Sequence, residues 1–197
     1  MNGITLKISK PKDKLFPGAS KLFGNPDVWD GFEWPYIEEN GEKYDLTFLC
    51  QINCTEVSAL DKEGRLPKMG ILYFFYDLDT MPEMSNSRSA RVLWYNGELS
   101  ALHEMLLTDE DGNSLAFSEQ KIDFEAEDAE GKSSHLLLGD MTQSCDFLKD
   151  NLSLLRIGSL ETEDAEIRFN GNGSLCFYIE KEKLRAYDFS EVKAAQI

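Results

Sequence analysis

One stretch dominates the sequence, LPKMGILYFFYD at residues 66–77, where a turn signal leads directly into a run of apolar and aromatic residues. Branched and aromatic side chains fit the pleated, packed surface of a sheet, so the run from Ile71 to Tyr76 predicts a buried strand. A second apolar run, Leu46 to Asn53, precedes it. The connection between the runs is too long for a tight hairpin, and we expect the two strands to be neighbours in one sheet.

The composition is that of an acidic globular protein. The 197 residues include 20 Lys and Arg against 36 Asp and Glu, which gives a net charge of -16, and 42% of the residues are hydrophobic. A chain with this charge is repelled by nucleic-acid backbones and by anionic membranes, so we expect neither as its main partner. A basic protein partner fits the charge. The alternative interpretation is that the acidic surface only keeps the protein soluble.

Two signals bear on the cellular compartment. Residues 1–9 lack the basic region and apolar block of a secretory signal, and no apolar run reaches the roughly eighteen residues of a membrane span. We therefore expect a cytoplasmic protein. The cysteines are too sparse for a disulfide framework, so we expect them to be reduced and mostly buried. They are Cys50, Cys54, Cys145 and Cys176.

The last third of the chain repeats the plan of the first. Residues 152–157 resemble the strand that contains Gln51, with Arg156 at the position of Gln51. Residues 172–179 match residues 69–76 in Gly, Leu and Phe. A repeated order of this kind indicates a duplicated structural unit.

We therefore predict an α+β, strand-dominated fold, an internally duplicated β-rich unit with a few short helices. Residues 1–197 form a single domain in this interpretation. Its halves span about residues 20–80 and 135–180, and an acidic, β-rich segment at residues 81–134 joins them.

The joining segment and its neighbours carry weaker patterns. Apolar residues at helical spacing predict one short helix from Leu99 to Leu107. The acidic stretch from Asp109 to Glu130 is interrupted by apolar residues, which predicts two modest edge strands with a solvated acidic rim. Some helical character is expected from Thr55 to Asp61, and a short strand or helix from Lys183 to Val192.

Several ordered blocks carry a family resemblance. They are SKLFGNP at residues 20–26, FEWP at 32–35, LTFLCQI at 46–52, the stretch at 66–77, and then residues 135–139, Gln143 and the NGNG turn at 170–173. In order and spacing these blocks resemble the YwqG-like family, bacterial proteins whose domain has no assigned function. The resemblance implies a β-rich, internally duplicated fold and no established reaction. The chain departs from the family pattern at Arg156, where the family usually has Gln, and at the NGNG turn, which lacks the family's Asp.

A candidate pocket begins with the aromatic loop WDGFEWP at residues 29–35. So much apolar surface is costly to expose, so these side chains either cap an edge of the core or line a cleft. Gln51 lies in a buried strand, and a buried amide either ties backbone together or faces a site. For His135, a bond to loop backbone is the alternative to a ligand or catalytic role. The candidate pocket consists of Trp29, Trp34, Gln51, His135 and Arg156.

A second candidate region is the acidic stretch, where nine acidic residues face one Lys between residues 109 and 130. An acidic surface of this kind complements a basic protein. The candidate partner-binding residues are Asp109, Glu110, Asp111, Glu125, Glu127 and Asp128.

The sequence contains no motif that points to catalysis. It has no phosphate loop, serine elbow or His-Glu metal motif, and Cys50 and Cys54 would lie roughly 13 Å apart on a strand, too far for one metal. We therefore predict no catalytic residue, no metal and no cofactor. The leading hypothesis is a non-catalytic protein-binding module of the immunity or antitoxin type, a monomer or weak homodimer. The alternative is an enzyme or small-molecule binder that uses a cleft between the two halves.

Overall fold

The structure is a computed structural model that describes residues 3–83, 89–126, 133–139 and 151–197. With 42% strand against 7% helix, the fold is strand-dominated, as predicted. The strands are β1 (Ile4–Ser9), β2 (Lys21–Leu22), β3 (Asp27–Val28), β4 (Tyr36–Glu39), β5 (Glu42–Asp45), β6 (Thr47–Asn53), β7 (Ile71–Tyr76), β8 (Ala90–Tyr95), β9 (His103–Glu104), β10 (Gln120–Ala126), β11 (Leu136–Leu137), β12 (Asn151–Gly158), β13 (Leu160–Glu161), β14 (Glu166–Ile167), β15 (Ser174–Glu180) and β16 (Lys193–Gln196). The helices in these ranges are α1 (Cys54–Val57), α2 (Lys181–Arg185) and a 3-10 turn at Leu99–Ala101.

Ten of the strands form one antiparallel sheet in the order β16-β15-β12-β11-β1-β10-β2-β6-β7-β8. The two outermost strands, β8 and β16, lie close together, so the sheet is nearly closed. Gln196 of β16 bonds to the segment that precedes β8: its backbone N–H donates to the Glu83 carbonyl and its side-chain amide donates to the Met81 carbonyl. Near-closure leaves little open edge, which limits pairing with other chains.

The core lies inside this curved sheet, where alternate residues of the long strands point inward. The predicted strand β7 is fully buried, and it pairs with β6 as expected. Inside the core, the rings of Phe74 on β7 and Phe177 on β15 pack edge to face, with their centroids 5.3 Å apart. Full burial of one such side chain stabilises the fold by about 2–3 kcal/mol.

The strand pairs β6–β7 and β12–β15 have the same register. Cys50 lies opposite Phe74 in the first pair, and Leu155 lies opposite Phe177 in the second. In each pair the register shifts just before these residues, as at a β-bulge, between Phe48 and Cys50 and between Ser153 and Leu155. The short strands β2 and β11 then pair with β6 and β12.

The residues that follow β2 and β11 also match. Phe23 and Leu138 have left-handed backbone angles, with φ of 58° and 59°. Each donates its backbone N–H to the long strand beside it, Phe23 to the Leu49 carbonyl and Leu138 to the Leu154 carbonyl. This conformation is uncommon for a bulky side chain, so its occurrence at both sites is a further match between the two strand pairs.

Gly70 and Gly173 precede the aromatic strands β7 and β15, and neighbouring backbone approaches both closely. A Cβ atom on Gly70 would lie 2.2 Å from the Tyr95 carbonyl oxygen, and one on Gly173 would lie 2.3 Å from the Ile197 carbonyl oxygen. Neither position has room for a side chain, so glycine is required by contact at both.

Two predictions for the joining segment are wrong. The helix expected from Leu99 to Leu107 is only a 3-10 turn, and β9 follows it because His103 and Glu104 pair with β3. In its described part, residues 109–126, the acidic stretch forms one strand in place of two edge strands, and this strand, β10, is central, since it pairs with β1 and β2. Alternation of apolar and polar residues predicts a half-buried strand but not its place in the sheet.

Cysteine burial follows the prediction for the three cysteines in the described ranges. Cys50, Cys54 and Cys176 are buried, while Cys145 lies outside those ranges. Burial raises the pKa of Cys54 to about 12, so its thiol stays protonated and unreactive near neutral pH. None of the helices described has the length and apolar character that a membrane span requires.

Candidate functional site

The aromatic loop covers the outer face of β7 and β8 and also lines a cleft. Trp29 stacks on Tyr95 with 4.9 Å between ring centroids and meets Phe32 edge-on at 5.1 Å. Trp34 packs edge-on against Phe75 and donates its indole N–H to the Leu46 carbonyl at 2.9 Å. Both alternatives in the sequence analysis, a cap on apolar packing and a cleft wall, therefore apply to this loop.

The cleft lies between this loop, the β4–β5 hairpin and β8, and has a volume of about 880 Å³. We call it the aromatic cleft. Its walls combine aromatic and charged side chains, among them Trp29, Trp34, Tyr36, Glu33, Glu38 and Arg91.

Gln51 ties adjacent backbone together, which was one of its two predicted roles. Its amide N–H groups donate to the Ala19 carbonyl at 2.8 Å and to the Asp27 carboxylate at 2.6 Å. Its amide oxygen accepts the backbone N–H of Asp27 at 3.0 Å. Because the side chain is fully buried and its partners are all within the protein, Gln51 fixes β3 against β6.

A buried ion cluster that the sequence analysis missed extends this network. The Lys21 ammonium lies 3.2 Å from the Asp27 carboxylate and 3.1 Å from the Glu119 carboxylate. The side chains of Lys21 and Asp27 are only 4% and 6% exposed, whereas that of Glu119 is 25% exposed. Gly18 donates its backbone N–H to the same Asp27 oxygen. Charges buried to this degree are tolerated because each is paired and hydrogen-bonded.

His135 and Arg156 form a separate group beside β11 and β12. His135 Nδ1 accepts the backbone N–H of Gly158 at 3.2 Å, and the Arg156 guanidinium donates to the Ser133 carbonyl. Burial, and to a lesser extent the positive charge of Arg156, lowers the pKa of His135 below its usual 6.5. The imidazole is therefore neutral near pH 7, with Nδ1 as its acceptor.

The structure brings some of the five predicted pocket residues together and separates others. Trp29 and Trp34 share the aromatic cleft, and Gln51 is hydrogen-bonded beneath that region. His135 and Arg156 lie in a different part of the sheet, because β12 is the fifth strand from β6 in the sheet order. Five strand spacings amount to about 24 Å along the sheet. The five side chains therefore fall into two groups on different strands of the sheet.

The predicted acidic residues lie in two places. Asp109, Glu110 and Asp111 are exposed in a turn at residues 109–113, which we call the acidic turn. The side-chain and backbone N–H groups of Asn113 bond to the Asp109 carboxylate and lower its pKa. Glu125 lies on β10 with its carboxylate 3.4 Å from the Lys7 ammonium. Glu127 and Asp128 lie outside the described residues.

The acidic turn joins the two arms of a small hairpin whose flanks are strongly apolar. Leu115 donates its backbone N–H to the Leu107 carbonyl at 2.8 Å, which holds the arms together. Leu106 and Leu115 are 67% and 65% exposed, although large apolar side chains are usually covered.

These leucines line a groove of about 630 Å³, which we call the leucine groove. Its other walls include Phe23, Phe48, Met105 and Phe117, and Asp45 and Asp79 lie among its lining residues. This groove was not predicted from the sequence. Its available signal was the short run MLL at residues 105–107, beside the acidic stretch.

Together these features define a class of protein with a strand-dominated, nearly closed sheet. The outer face of this sheet carries an aromatic cleft and, beneath covering loops, a buried ion cluster. The chain belongs to the family of the domain of unknown function DUF1963, which matches residues 20–137, more than half of its length. The matched range contains Lys21, Gln51 and both surface depressions, whereas Arg156 lies beyond it. Comparison with curated proteins found no match.

Proposed function

We propose that this protein is a non-catalytic binding module that holds a basic, amphipathic segment of another protein in the leucine groove. The observation that carries the proposal is the two-thirds exposure of both Leu106 and Leu115 beside a groove. Exposed apolar patches rimmed by polar residues are typical of protein interaction sites. Burying both leucines against a partner would stabilise the complex by about 2–4 kcal/mol in total.

The charge around the groove selects the kind of partner. Asp45 and Asp79 line the groove, and the exposed Glu110 and Asp111 lie at the tip of the neighbouring hairpin. Among the described residues that line the groove, none is positively charged. With a net charge of -16 for the chain, a segment rich in Lys or Arg is attracted and an acidic one is repelled.

Within this class we propose an immunity or antitoxin role, in which the protein neutralises a basic toxin or nuclease. The support is the charge complementarity just described, together with a fold-level analogy to small bacterial inhibitors. We further propose that the protein is YwqG-like and bacterial, and that it acts in the cytoplasm as a monomer or weak homodimer. The ordered blocks at residues 20–26, 32–35, 46–52 and 66–77 support the YwqG-like assignment.

We also propose that the two halves derive from one duplicated unit. Four features at matching positions support this: the register of β6–β7 and β12–β15, the shift in each pair, the left-handed Phe23 and Leu138, and the close-contact glycines at 70 and 173. Independent origins would not require the same local solutions in the same order.

The binding proposal is tested with an amphipathic peptide in which Lys and Leu alternate, which we call the Lys–Leu peptide. One control peptide has Glu in place of every Lys, and the other has Ser in place of every Leu. We expect the Lys–Leu peptide to bind at low salt, and the variant L106S/L115S to bind at least roughly thirtyfold more weakly, equivalent to a loss of about 2 kcal/mol or more. Titration calorimetry measures the affinities.

The matched control is Met69→Ser, which removes an equally exposed apolar side chain (64% exposed) that does not line the leucine groove. It should leave the affinity unchanged. E110Q/D111N should slow association and reduce its dependence on salt, since both carboxylates are exposed. Equal affinity of L106S/L115S and the unmodified protein for the Lys–Leu peptide would refute the proposal.

The second candidate function is an enzyme or small-molecule binder that uses a site between the halves. It requires Gln51, His135 and Arg156 to act on one ligand within hydrogen-bond reach. Their separation into two groups favours the binding module.

A further inference from the structure

We propose that the aromatic cleft binds a cationic side chain, the guanidinium of Arg or the ammonium of Lys, presented by a partner protein. The proposal does not depend on the leucine groove, which shares Trp34 with the aromatic cleft but is otherwise lined by different residues. It rests on the aromatic walls of the cleft, on its charges and on a cation that already contacts one of its rings.

The aromatic walls are arranged to receive a ligand. Trp29 and Trp34 are each half-buried, so part of each indole faces the opening, and Tyr36 is 40% exposed. The indoles are held rigidly, because Trp29 stacks on Tyr95 and Trp34 donates its N–H to the Leu46 carbonyl. Aromatic faces attract cations through the negative charge of the ring face, and Trp is the strongest of them.

The charges around the cleft are compatible with the same ligand. Glu33 and Glu38 are exposed lining residues, and the cations beside them are Arg91 and Lys43, which lies over the Tyr36 ring. The two carboxylates can contact an incoming cation, and the net charge of -16 of the chain disfavours an anion. Arg91 itself is turned towards backbone, since its guanidinium donates to the Ala90 carbonyl at 2.8 Å.

The protein already contains one contact of the proposed kind. The Lys43 ammonium lies 4.0 Å from the centroid of the Tyr36 ring. This distance is well inside the roughly 6 Å limit for a cation–π contact. The Tyr36 ring is therefore able to hold an ammonium group in water, and a partner cation enclosed by the two indoles as well would bind more strongly.

The volume of the cleft also fits a side chain with its flanking backbone. At about 880 Å³ it falls within the roughly 300–1,000 Å³ typical of ligand pockets. A purely apolar ligand could contact only the rings, whereas a cation can contact both the rings and the exposed carboxylates of Glu33 and Glu38.

The test uses three tripeptides, Gly-Arg-Gly, Gly-Lys-Gly and Gly-citrulline-Gly, followed by the indole N–H signals in NMR spectra. Citrulline matches Arg in shape but is neutral, and none of the probes has an apolar side chain that could occupy the leucine groove. Trp94 is the internal control, because it packs against Tyr187 and Phe189.

We expect the Arg or Lys peptide to shift the signals of Trp29 and Trp34 in a saturable way and to leave Trp94 unchanged. E33Q/E38Q and Tyr36→Ala should each weaken binding roughly fivefold, whereas E161Q/E180Q, an equal change of charge at exposed sites elsewhere, should not. Comparison of the Arg and Lys peptides identifies the preferred cation.

The proposal is overturned by equal binding of the citrulline peptide, by shifts that include Trp94 to the same extent, or by the absence of saturation. Failure here would leave the leucine groove untouched, because the Lys–Leu peptide reports on Leu106 and Leu115. Conversely, loss of the groove by L106S/L115S should leave tripeptide binding intact.

Discussion

The strand pairs β6–β7 and β12–β15 share a register but differ in what covers their outer faces. Outside β7, the aromatic loop packs over Tyr73 and Phe75. Outside β15, the corresponding residues Cys176 and Tyr178 pack with Ala195 in a much smaller apolar group. The inner faces of both pairs contribute to one core and are alike, whereas the outer faces differ in what covers them. Both surface depressions proposed as binding sites lie in the part of the chain that contains β6 and β7.

The polar residues of the two pairs show the same contrast on a smaller scale. At the end of β6 the backbone N–H of Asn53 donates to the Ser20 hydroxyl at 2.8 Å. At the end of β12 the backbone N–H of Gly158 donates to His135 Nδ1. Each of these two backbone N–H groups needs an acceptor, and the two acceptors are side chains of different chemistry, a hydroxyl and an imidazole. Only the second acceptor titrates near neutral pH.

The largest effect should come from the core contact that joins the two pairs. Phe74→Ala and Phe177→Ala should each lower the free energy of unfolding by about 3–5 kcal/mol, because both side chains are fully buried. The double variant should be less destabilised than the sum, since the rings contact each other. Urea denaturation of the four proteins measures the coupling.

Phe16→Ala is the control for this cycle, because Phe16 is 60% exposed. It should change stability by less than about 0.5 kcal/mol. Strict additivity of Phe74→Ala and Phe177→Ala would contradict a shared core between the two pairs.

A smaller effect should come from the buried ion cluster of Lys21, Asp27 and Glu119. Lys21→Met should lower the free energy of unfolding by about 3 kcal/mol, because it leaves the buried carboxylate of Asp27 without its cation. Leu136 occupies the matching place on β11, opposite Arg156 as Lys21 is opposite Gln51. Leu136→Met preserves volume and should cost less than about 1.5 kcal/mol.

Guanidinium denaturation would mask this difference by screening charges, so urea is the suitable denaturant. Lys10→Met provides a second control, because the ion pair of Lys10 with Glu163 is exposed and contributes little. A cost for Lys21→Met no larger than that for Lys10→Met would show that the buried cluster is not a source of stability.

The smallest effect should be the dependence of stability on pH that comes from His135. The folded protein holds the pKa of His135 below 6.5, so on acidification the unfolded chain takes up a proton before the folded one does. His135 therefore contributes full stability above about pH 6.5, and this contribution falls as the pH drops towards the lowered folded pKa.

His135→Asn removes the titration while its side-chain oxygen can still accept the N–H of Gly158. The difference in unfolding free energy between the unmodified protein and this variant should change between pH 8 and pH 5. Parallel stability curves for His135→Asn and the unmodified protein would contradict the assignment.

The sequence predicts well the elements whose side chains are buried on both faces. The apolar runs of β6 and β7 are of this kind, and their pairing follows from their proximity along the chain. The prediction of a helix from Leu99 to Leu107 is wrong, because the helical spacing of its apolar residues has another cause. Leu99 and Leu102 both pack close to Gly18, while the residues between and after them follow a different backbone path.

The candidate sites were less predictable, because they are assembled from distant residues. Lys21 and Glu119 lie on β2 and beside β10, far apart in sequence, and a lysine in a short segment is usually exposed. Gln51 was the useful signal, since a buried amide demands partners and Asp27 is one of them. The leucine groove depends on the hairpin at residues 107–115, whose closure no local pattern specifies.

The place of β1 in the sheet has a consequence for how the chain is made. Ile4 pairs with Ala126 and Leu137, so both partners of β1 are synthesised long after it. Until β10 and β11 emerge, β1 has two open edges, and the sheet cannot be completed from the N-terminal residues alone. Distant pairings of this kind form slowly, and exposed edges invite aggregation. We therefore expect the nascent chain to depend on chaperones until its central strands have been translated.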